Sequence, residues 1–309
     1  MRVLVLGAAA GGGFPQWNCR CENCRRSREG DPAAAARTQS SVAVSADGER
    51  WVLLNASPDL RQQLAATPAL QPRHGPRDSA VAGVVLSNAD VDHVAGLLSL
   101  RESARFFVCG TARVQALLRA NSIFNVLNPA LVERRELALG GAQALADCDG
   151  VPTGLSLEAY VVPGKVALYA EDAAAGPNYG TAAGDTVGIA VRESESGATF
   201  HYLPGCAAMP PELAARLKGA ALVFFDGTLW RDDEMIAAGL GGKTGRRMGH
   251  MSVSGPDGTI AAFADLGVKR KVFIHINNSN PMIIAGTPER AAAEAAGWEI
   301  AYDGMELSL

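Results

Sequence analysis

Apolar residues recur in short runs, some alternating with polar positions and some unbroken. They fall at 2–6, 41–44, 51–54, 83–86, 106–108, 158–162, 187–191, 199–203, 220–225, 272–276 and 298–302, and each predicts a strand. Helical spacing between them predicts helices over 59–66, 94–102, 112–120, 211–217, 257–266 and 288–296. Ser57-Pro58 and Thr287-Pro288 mark two helix starts, because the fixed φ and missing N–H of proline suit a first helical turn. Hairpin-linked strands come early and strand–helix alternation follows. That order predicts an α/β protein with two sheets and helices packed outside them. Gly-, Ala- and Asp-rich stretches at 141–155 and 171–185 read as loops rather than linkers, so one domain over 1–309 is expected.

The ends of the predicted strands carry the candidate chemistry. The apolar run 82–86 leads into Ser87-Asn88-Ala89-Asp90-Val91-Asp92-His93, then into Val94-Ala95-Gly96-Leu97-Leu98, which reads as the opening of a helix. A carboxylate-x-carboxylate-His cluster on one turn offers three metal ligands that a loop can aim into a cleft. The same residues also fit a polar turn in which Asp caps the helix. His275 ends the strand 271–274, and Asp226 closes the apolar run 220–225. A carboxylate in that place is costly unless it meets a cation or hydrogen-bond donors, although Asp226 could equally cap the Gly227-Thr228 turn. His250 sits in a glycine-containing loop, as a proton donor or as a partner of the loop backbone. Of the five histidines, His74 reads as surface and His201, alternating beside Phe200 and Tyr202 in a strand, as structural.

Cys19, Cys21 and Cys24 place three thiols within six residues. Thiolates this close repel one another and are poorly placed for mutual disulfides, and a soft cation relieves both problems. A structural Zn(II) in a small loop at 18–25 is therefore expected, with its fourth ligand supplied from a distance. Cys109, Cys148 and Cys206 are isolated. Gly7-Ala8-Ala9-Ala10-Gly11-Gly12-Gly13 follows a strand but runs into Phe14-Pro15, where a phosphate-facing helix should begin, so a flexible turn toward the cysteines explains it better than a dinucleotide site.

Composition narrows the partners. Apolar residues make up 48% and charged residues 19% of the 309 positions, enough to bury a sizeable core. A net charge of −4 without a basic stripe argues against nucleic acid, and Arg25-Arg26 and Lys269-Arg270-Lys271 read as solvated surface. No apolar segment approaches a membrane span, and no export signal precedes the first strand, so a cytoplasmic protein with reduced cysteines is expected. The oligomeric state is left open.

The spacing from Asn88 to His93 resembles the His-x-His-x-Asp-His loop of the metallo-β-lactamase superfamily. Asn88 and Asp90 stand at its two leading histidines, and Asp92 and His93 match its closing pair. Cys206 stands where lactamase-like members carry an acidic residue that bridges two metals. A phosphodiesterase branch of the superfamily has the same cysteine arrangement, completed by a histidine whose place here is Asn278, and a mobile general acid where this chain has His250. Asn278, water or another side chain would then complete the zinc shell. Gly11-Gly12-Gly13-Phe14-Pro15-Gln16-Trp17-Asn18-Cys19, Met248-Gly249-His250-Met251-Ser252 and His275-Ile276-Asn277-Asn278, together with the acidic loop, resemble the PqqB family of pyrroloquinoline quinone (PQQ) biosynthesis over nearly the whole chain.

That resemblance implies a metallo-β-lactamase-like four-layered αβ/βα sandwich and an iron-dependent hydroxylation of the tyrosine ring in a crosslinked precursor derived from Glu and Tyr. Two imidazoles and a carboxylate with open positions favour Fe(II) binding substrate and dioxygen side by side. In that reading Asp92, His93 and His275 hold Fe(II), with Asp90 as ligand or orienter. Asp226 and His250 serve proton transfer or substrate binding, and Asn88 hydrogen-bonds a bound water or oxygen. Lys243, Arg246 and Arg247 are candidates to pair with a polycarboxylate precursor. The alternatives are a carrier that assists transport of PQQ or its precursor to the periplasm, and a metal-dependent hydrolase.

Overall fold

The computed structural model describes all residues, 1–309. Its strands are β1 (Arg2–Gly7), β2 (Ser41–Ser45), β3 (Trp51–Leu54), β4 (Val81–Val85), β5 (Phe106–Gly110), β6 (Val132–Glu136), β7 (Ala142–Ala146), β8 (Pro152–Val161), β9 (Val187–Glu193), β10 (Thr199–Leu203), β11 (Leu222–Asp226), β12 (Lys271–Ile274), β13 (Trp298–Ile300) and β14 (Glu306–Ser308). They form two seven-stranded sheets, ordered β14-β1-β2-β3-β4-β5-β6 and β13-β12-β11-β10-β9-β8-β7. In the first sheet β3 to β6 run parallel, and in the second β10 to β13 do. The remaining pairs are antiparallel.

Alternation along the strands builds the layers. Val3, Val5, Val42, Val44, Phe107, Ile189, Phe200, Phe224 and Ile274 meet in a core between the sheets. Their neighbours Leu4, Leu6, Leu53, Val84 and Val108 face outward, onto the helices α2 (Leu60–Ala66) and α4 (Ala112–Ala120). On the far side, Val223, Phe225 and Phe273 pack under the helices α5 (Pro211–Leu217), α6 (Thr259–Ala262) and α7 (Pro288–Ala295). Both faces of each sheet are covered, which is why so many strands read as unbroken apolar runs. The result is the expected four-layered αβ/βα sandwich.

Several local expectations are corrected. β6, β7 and β14 were not predicted, and β8 begins earlier, inside the stretch expected to be loop at 141–155. The first two form or adjoin sheet edges, where Val132-Glu133-Arg134-Arg135-Glu136 needs only one buried residue and so carries no apolar run. The helix expected over 94–102 is a single turn, α3 (Val91–Val94), followed by a 3₁₀ segment, Ala95–Leu100. Gly96 donates its N–H to Ala56 O at 2.9 Å, and a Cβ there would lie 2.1 Å from Ser57 O, so the chain is pressed against its neighbour and cannot wind regularly. Only Thr259–Ala262 is helical within 257–266. Conversely, a helix α1 (Glu22–Arg28) begins directly after Cys21, where none was expected.

Trp298 anchors the outer face of the second sheet. It stacks on Phe273 with ring centroids 3.8 Å apart and meets Phe263 edge-on at 4.9 Å. Trp298→Ala should therefore destabilise the fold by about 3–5 kcal/mol, read as a lowered denaturation midpoint with an unchanged slope.

Candidate metal centre and cleft

The ends of β4, β11 and β12 meet at a cleft of about 390 Å³, lined by Asp90, Asp92, His93, Lys165, His250 and His275 among others. Ligand atoms of Asp92, His93 and His275 lie within 4.8 Å of one another. A second group, Asp226, His250 and His275, shares His275 with the first.

Each imidazole is fixed through Nδ1. His93 Nδ1 lies 2.7 Å from Asn88 Oδ1, an oxygen that can only accept, so the proton is on Nδ1 and Nε2 carries a lone pair. That Nε2 is buried and has no hydrogen-bond partner. His275 Nδ1 lies 2.8 Å from Thr228 Oγ1, whose hydroxyl is 2.6 Å from Asp226 Oδ1. With the hydroxyl proton given to Asp226, Thr228 accepts from His275 Nδ1 and leaves Nε2 facing Asp92 Oδ2 at 2.8 Å. An orphaned buried nitrogen and a second nitrogen against a carboxylate oxygen are what a divalent cation would satisfy. The donor set fits one.

Asp226 is engaged elsewhere. Its Oδ1 accepts from Thr228 N at 3.0 Å as well as from the hydroxyl, and its Oδ2 accepts from Cys206 N at 2.9 Å and from His250 Nδ1 at 2.6 Å. Asp226 therefore both caps the turn and meets hydrogen-bond donors, the two readings its place in the sequence allowed, and the second group is a hydrogen-bond network closed on itself. His250, stacked on His275 with centroids 5.2 Å apart, keeps Nε2 free. Cys206 turns its Sγ toward Ala208 O at 3.1 Å.

Asp90 does not join Asp92, His93 and His275. It occupies the N-cap position of α3 without a side-chain cap bond, and its oxygens face Asn88 Nδ2, Lys165 Nζ and Leu168 N at 3.2, 3.4 and 3.3 Å. As a metal ligand it is corrected: it forms a wall of the cleft beside the cluster. The capping alternative for this loop also fails, since neither Asp90 nor Asp92 caps the turn. Asn88, which also lines the cleft, orients His93.

Charge interactions set the protonation states. Burial lowers His93 to about 4, only partly offset by Asp92, so the ring is neutral near pH 7. Burial disfavours the charged form of His275 too, but Asp92 outweighs it and raises the group above its ordinary value. Burial likewise works against the Asp92 carboxylate, yet His93 and His275 together hold it well below the usual range.

His275 has φ +58°, a left-handed conformation that costs a non-glycine residue about 1–3 kcal/mol. It is held on both sides, by its own Nδ1 donating to Thr228 Oγ1 at 2.8 Å and by Ile276 N donating to Ala8 O at 2.9 Å. The glycine-rich turn after β1 thus braces the ligand strand and carries no nucleotide-type helix.

Cys19, Cys21 and Cys24 converge, with ligand atoms within 4.8 Å of one another. The Asn278 side chain faces all three, its Nδ2 at 3.2, 3.6 and 3.3 Å from the respective sulfurs. Asn23 Nδ2 ties the cysteine loop to the segment after His275 through the carbonyls of Asn278, Ser279 and Asn280 at 3.0–3.2 Å. Burial pushes the Cys21 thiol up to about 12 while Cys19 is held low despite its burial by the amide N–H of Cys21, so without a cation these two do not ionise together.

Residues 50–276 match the beta-lactamase superfamily domain. The chain is 56% identical over 308 residues to coenzyme PQQ synthesis protein B of Gluconacetobacter diazotrophicus, covering 99% of each chain. It is 53% identical to the protein of the same name from Xanthomonas campestris, over the full length of both. The crystal structure of Zn(2+)-bound PqqB from Methylobacterium extorquens superposes with a TM-score of 0.93 at 48% identity, covering all of both chains. The chain belongs to the PqqB family.

Within this PqqB framework, the residues not anticipated are Thr228 and Lys165. Thr228 has no ionisable group to draw notice, and its only signal is its place two residues after Asp226. Lys165 lies in a segment without secondary structure. Of the three basic candidates, Arg247 is bound to Glu171 at 2.7 Å and lies 3.7 Å over the Tyr179 ring, and exposed Arg246 approaches Asp257 at 3.8 Å. Lys243 alone of these lines the cleft. His74 is exposed, and His201 is buried against Tyr160 at 2.9 Å, as expected.

Asn88→Ala and Thr228→Val should each weaken divalent-metal affinity at this site about 10–100-fold while leaving the cysteine site loaded, read by metal analysis after graded chelation. Metal binding must also displace the proton that Asp92 holds on His275. Affinity should therefore fall as the pH drops through the raised pKa of His275, and keep rising above the ordinary imidazole value of 6.5, as a titration of metal binding against pH would show.

Proposed function

We propose that this chain acts in PQQ biosynthesis as an iron-dependent hydroxylase of the tyrosine ring in a small crosslinked precursor derived from Glu and Tyr. The observation that carries this reading is the bare Nε2 of His93, buried beside Asp92 and His275. Two imidazoles and one carboxylate are the ligand set associated with non-haem Fe(II) oxygenases. Asp92, His93 and His275 would hold the ion, and bound Fe(II) would supply the redox chemistry that couples dioxygen and a two-electron reductant to hydroxylation.

The chain's own groups do the rest. Asn88 and Thr228 hold the ligand rings in one tautomer. Asp226 holds His250 through Nδ1, leaving Nε2 as the nitrogen that exchanges protons with the cleft. Met235, Met248 and Leu168 give the cleft apolar surface for a ring. The thiol of Cys206, pushed up to about 12 by burial, stays protonated and cannot replace a bridging carboxylate, which favours one ion over the pair a hydrolase would use.

Zn(II) at Cys19, Cys21 and Cys24 is assigned a structural part. A half-turn of the Asn278 amide would exchange Nδ2 for Oδ1 and offer the fourth ligand. No helix is long and apolar enough to cross a membrane, and a reducing cytoplasm would keep these thiols available.

The test is product analysis with the tyrosine-containing precursor, a chemical reductant and Fe(II), under dioxygen and under argon. Hydroxylated product is expected only under dioxygen, and at least about 100-fold less from Asp92→Ala, His93→Ala and His275→Ala. Undiminished product from His93→Ala would remove the iron assignment. Biosynthesis unaffected by all three variants would favour the carrier.

A further inference from the structure

We propose that Lys165 and Asp90 form a clamp for the dipolar head of an α-amino acid, with the guest carboxylate on Lys165 Nζ and its ammonium on Asp90. The clamp deepens the proposed function, since it rests on this cleft being where substrate enters.

The two side chains form a loose pair. Lys165 Nζ lies 3.4 Å from Asp90 Oδ1 and 3.2 Å from Val166 O. The other contacts of Asp90 are also long, 3.3 Å to Leu168 N and 3.2 Å to Asn88 Nδ2. Charged groups that satisfy one another close to about 2.7–2.9 Å. Other part-buried pairs in this molecule do, at 2.8 Å for Arg113–Asp185 and 2.7 Å for both Arg26–Asp31 and Arg247–Glu171. Both members of the loose pair line the cleft, so each keeps hydrogen-bonding capacity directed at whatever enters.

Lys165 is also held ready. Its carbonyl accepts from Thr186 Oγ1 at 3.0 Å, and the next amide, Val166 N, donates to Thr181 Oγ1 at 3.0 Å. Its stem lies on Gly249, where a Cβ would stand 3.1 Å from Lys165 Cγ and the φ of +92° already disfavours any side chain. The glycine before His250 therefore seats the lysine. A cation fixed in this way binds an anion without first losing its own rotamer freedom.

Adjacent opposite charges select for a guest that carries both. A free amine is repelled by Lys165, and a simple acid meets Asp90 and Asp92. An amino-acid head satisfies both members while its side chain extends over Leu168 and Met248 toward the metal cluster.

The test is ligand-observed saturation-transfer NMR on protein loaded with Zn(II), so that no turnover occurs, with L-tyrosine, tyramine and 3-(4-hydroxyphenyl)propionate as probes. L-tyrosine should give the strongest signal, weakened about tenfold or more in apparent affinity by Lys165→Met and by Asp90→Asn, and largely restored by Lys165→Arg. Thermal melting of each variant checks that it is folded. Equal binding of the three probes, no binding of L-tyrosine to the parent protein, or binding unchanged by Lys165→Met overturns the clamp. Absence of hydroxylation would remove the activity assignment without touching this readout.

Discussion

Two hydrogen bonds at Nδ1 organise the candidate centre. Asn88 Oδ1 on His93 and Thr228 Oγ1 on His275 decide which nitrogen of each ring faces inward. The inward Nε2 of His93 is buried without a partner, which is costly, and that of His275 is met only by the Asp92 carboxylate. The cluster is therefore strained without a cation and relieved by one. His275 shows the same tension in its backbone, where a left-handed φ is held by contacts from Thr228 and Ala8. Asp226 anchors the arrangement from beneath, with four donors converging on its two oxygens. A fully satisfied buried carboxylate makes a stable base for the groups around it.

The fold brings these groups together because both sheets end their central strands at the same edge. Residues from 87–93 leave the first sheet after β4, and Asp226, Thr228 and His275 leave the second after β11 and β12. The inter-sheet core reaches up to this edge through a polar patch. Asn55 Oδ1 accepts from Ser87 N at 2.9 Å, and Asn55 Nδ2 donates to Tyr202 Oη at 3.4 Å, linking the acidic loop to the opposite sheet. Sheet packing thus sets the distance between His93 and His275, and only the last ångström is left to side-chain hydrogen bonds.

Much of this was legible from residue type and position. Strands covered on both faces announce themselves as apolar runs, and a polar or ionisable residue at the end of such a run stands out, which is how Asp92, His93, Asp226 and His275 were found. What was not legible has a common physical cause. β6 and β7 lie at or near a sheet edge, where one solvated face removes the apolar run. Thr228 acts through a hydroxyl that looks like any turn residue until its partners are placed around it. Lys165 is 75 residues beyond Asp90, and no periodicity connects them. Asp90 misled because spacing put it beside Asp92 on one turn, whereas the turn points the two carboxylates to different walls.

The departures from the histidine-rich superfamily loop can be read as a change of role. At the position of the first histidine, Asn88 cannot supply an imidazole, and its carbonyl oxygen is spent on His93. At the position of the second, Asp90 faces Lys165 rather than the cluster. At the bridging position, Cys206 turns its sulfur to Ala208 O. Each change removes a ligand that a second ion would need, and two of them leave behind a group with another use: an orienter for His93 and a wall of the cleft. A single ion held by Asp92, His93 and His275, as proposed, would keep open coordination positions, and Asp90 and Lys165 border the same cleft. On the proposed single-ion reading, losing the second ion and gaining room for a charged guest would be one structural change.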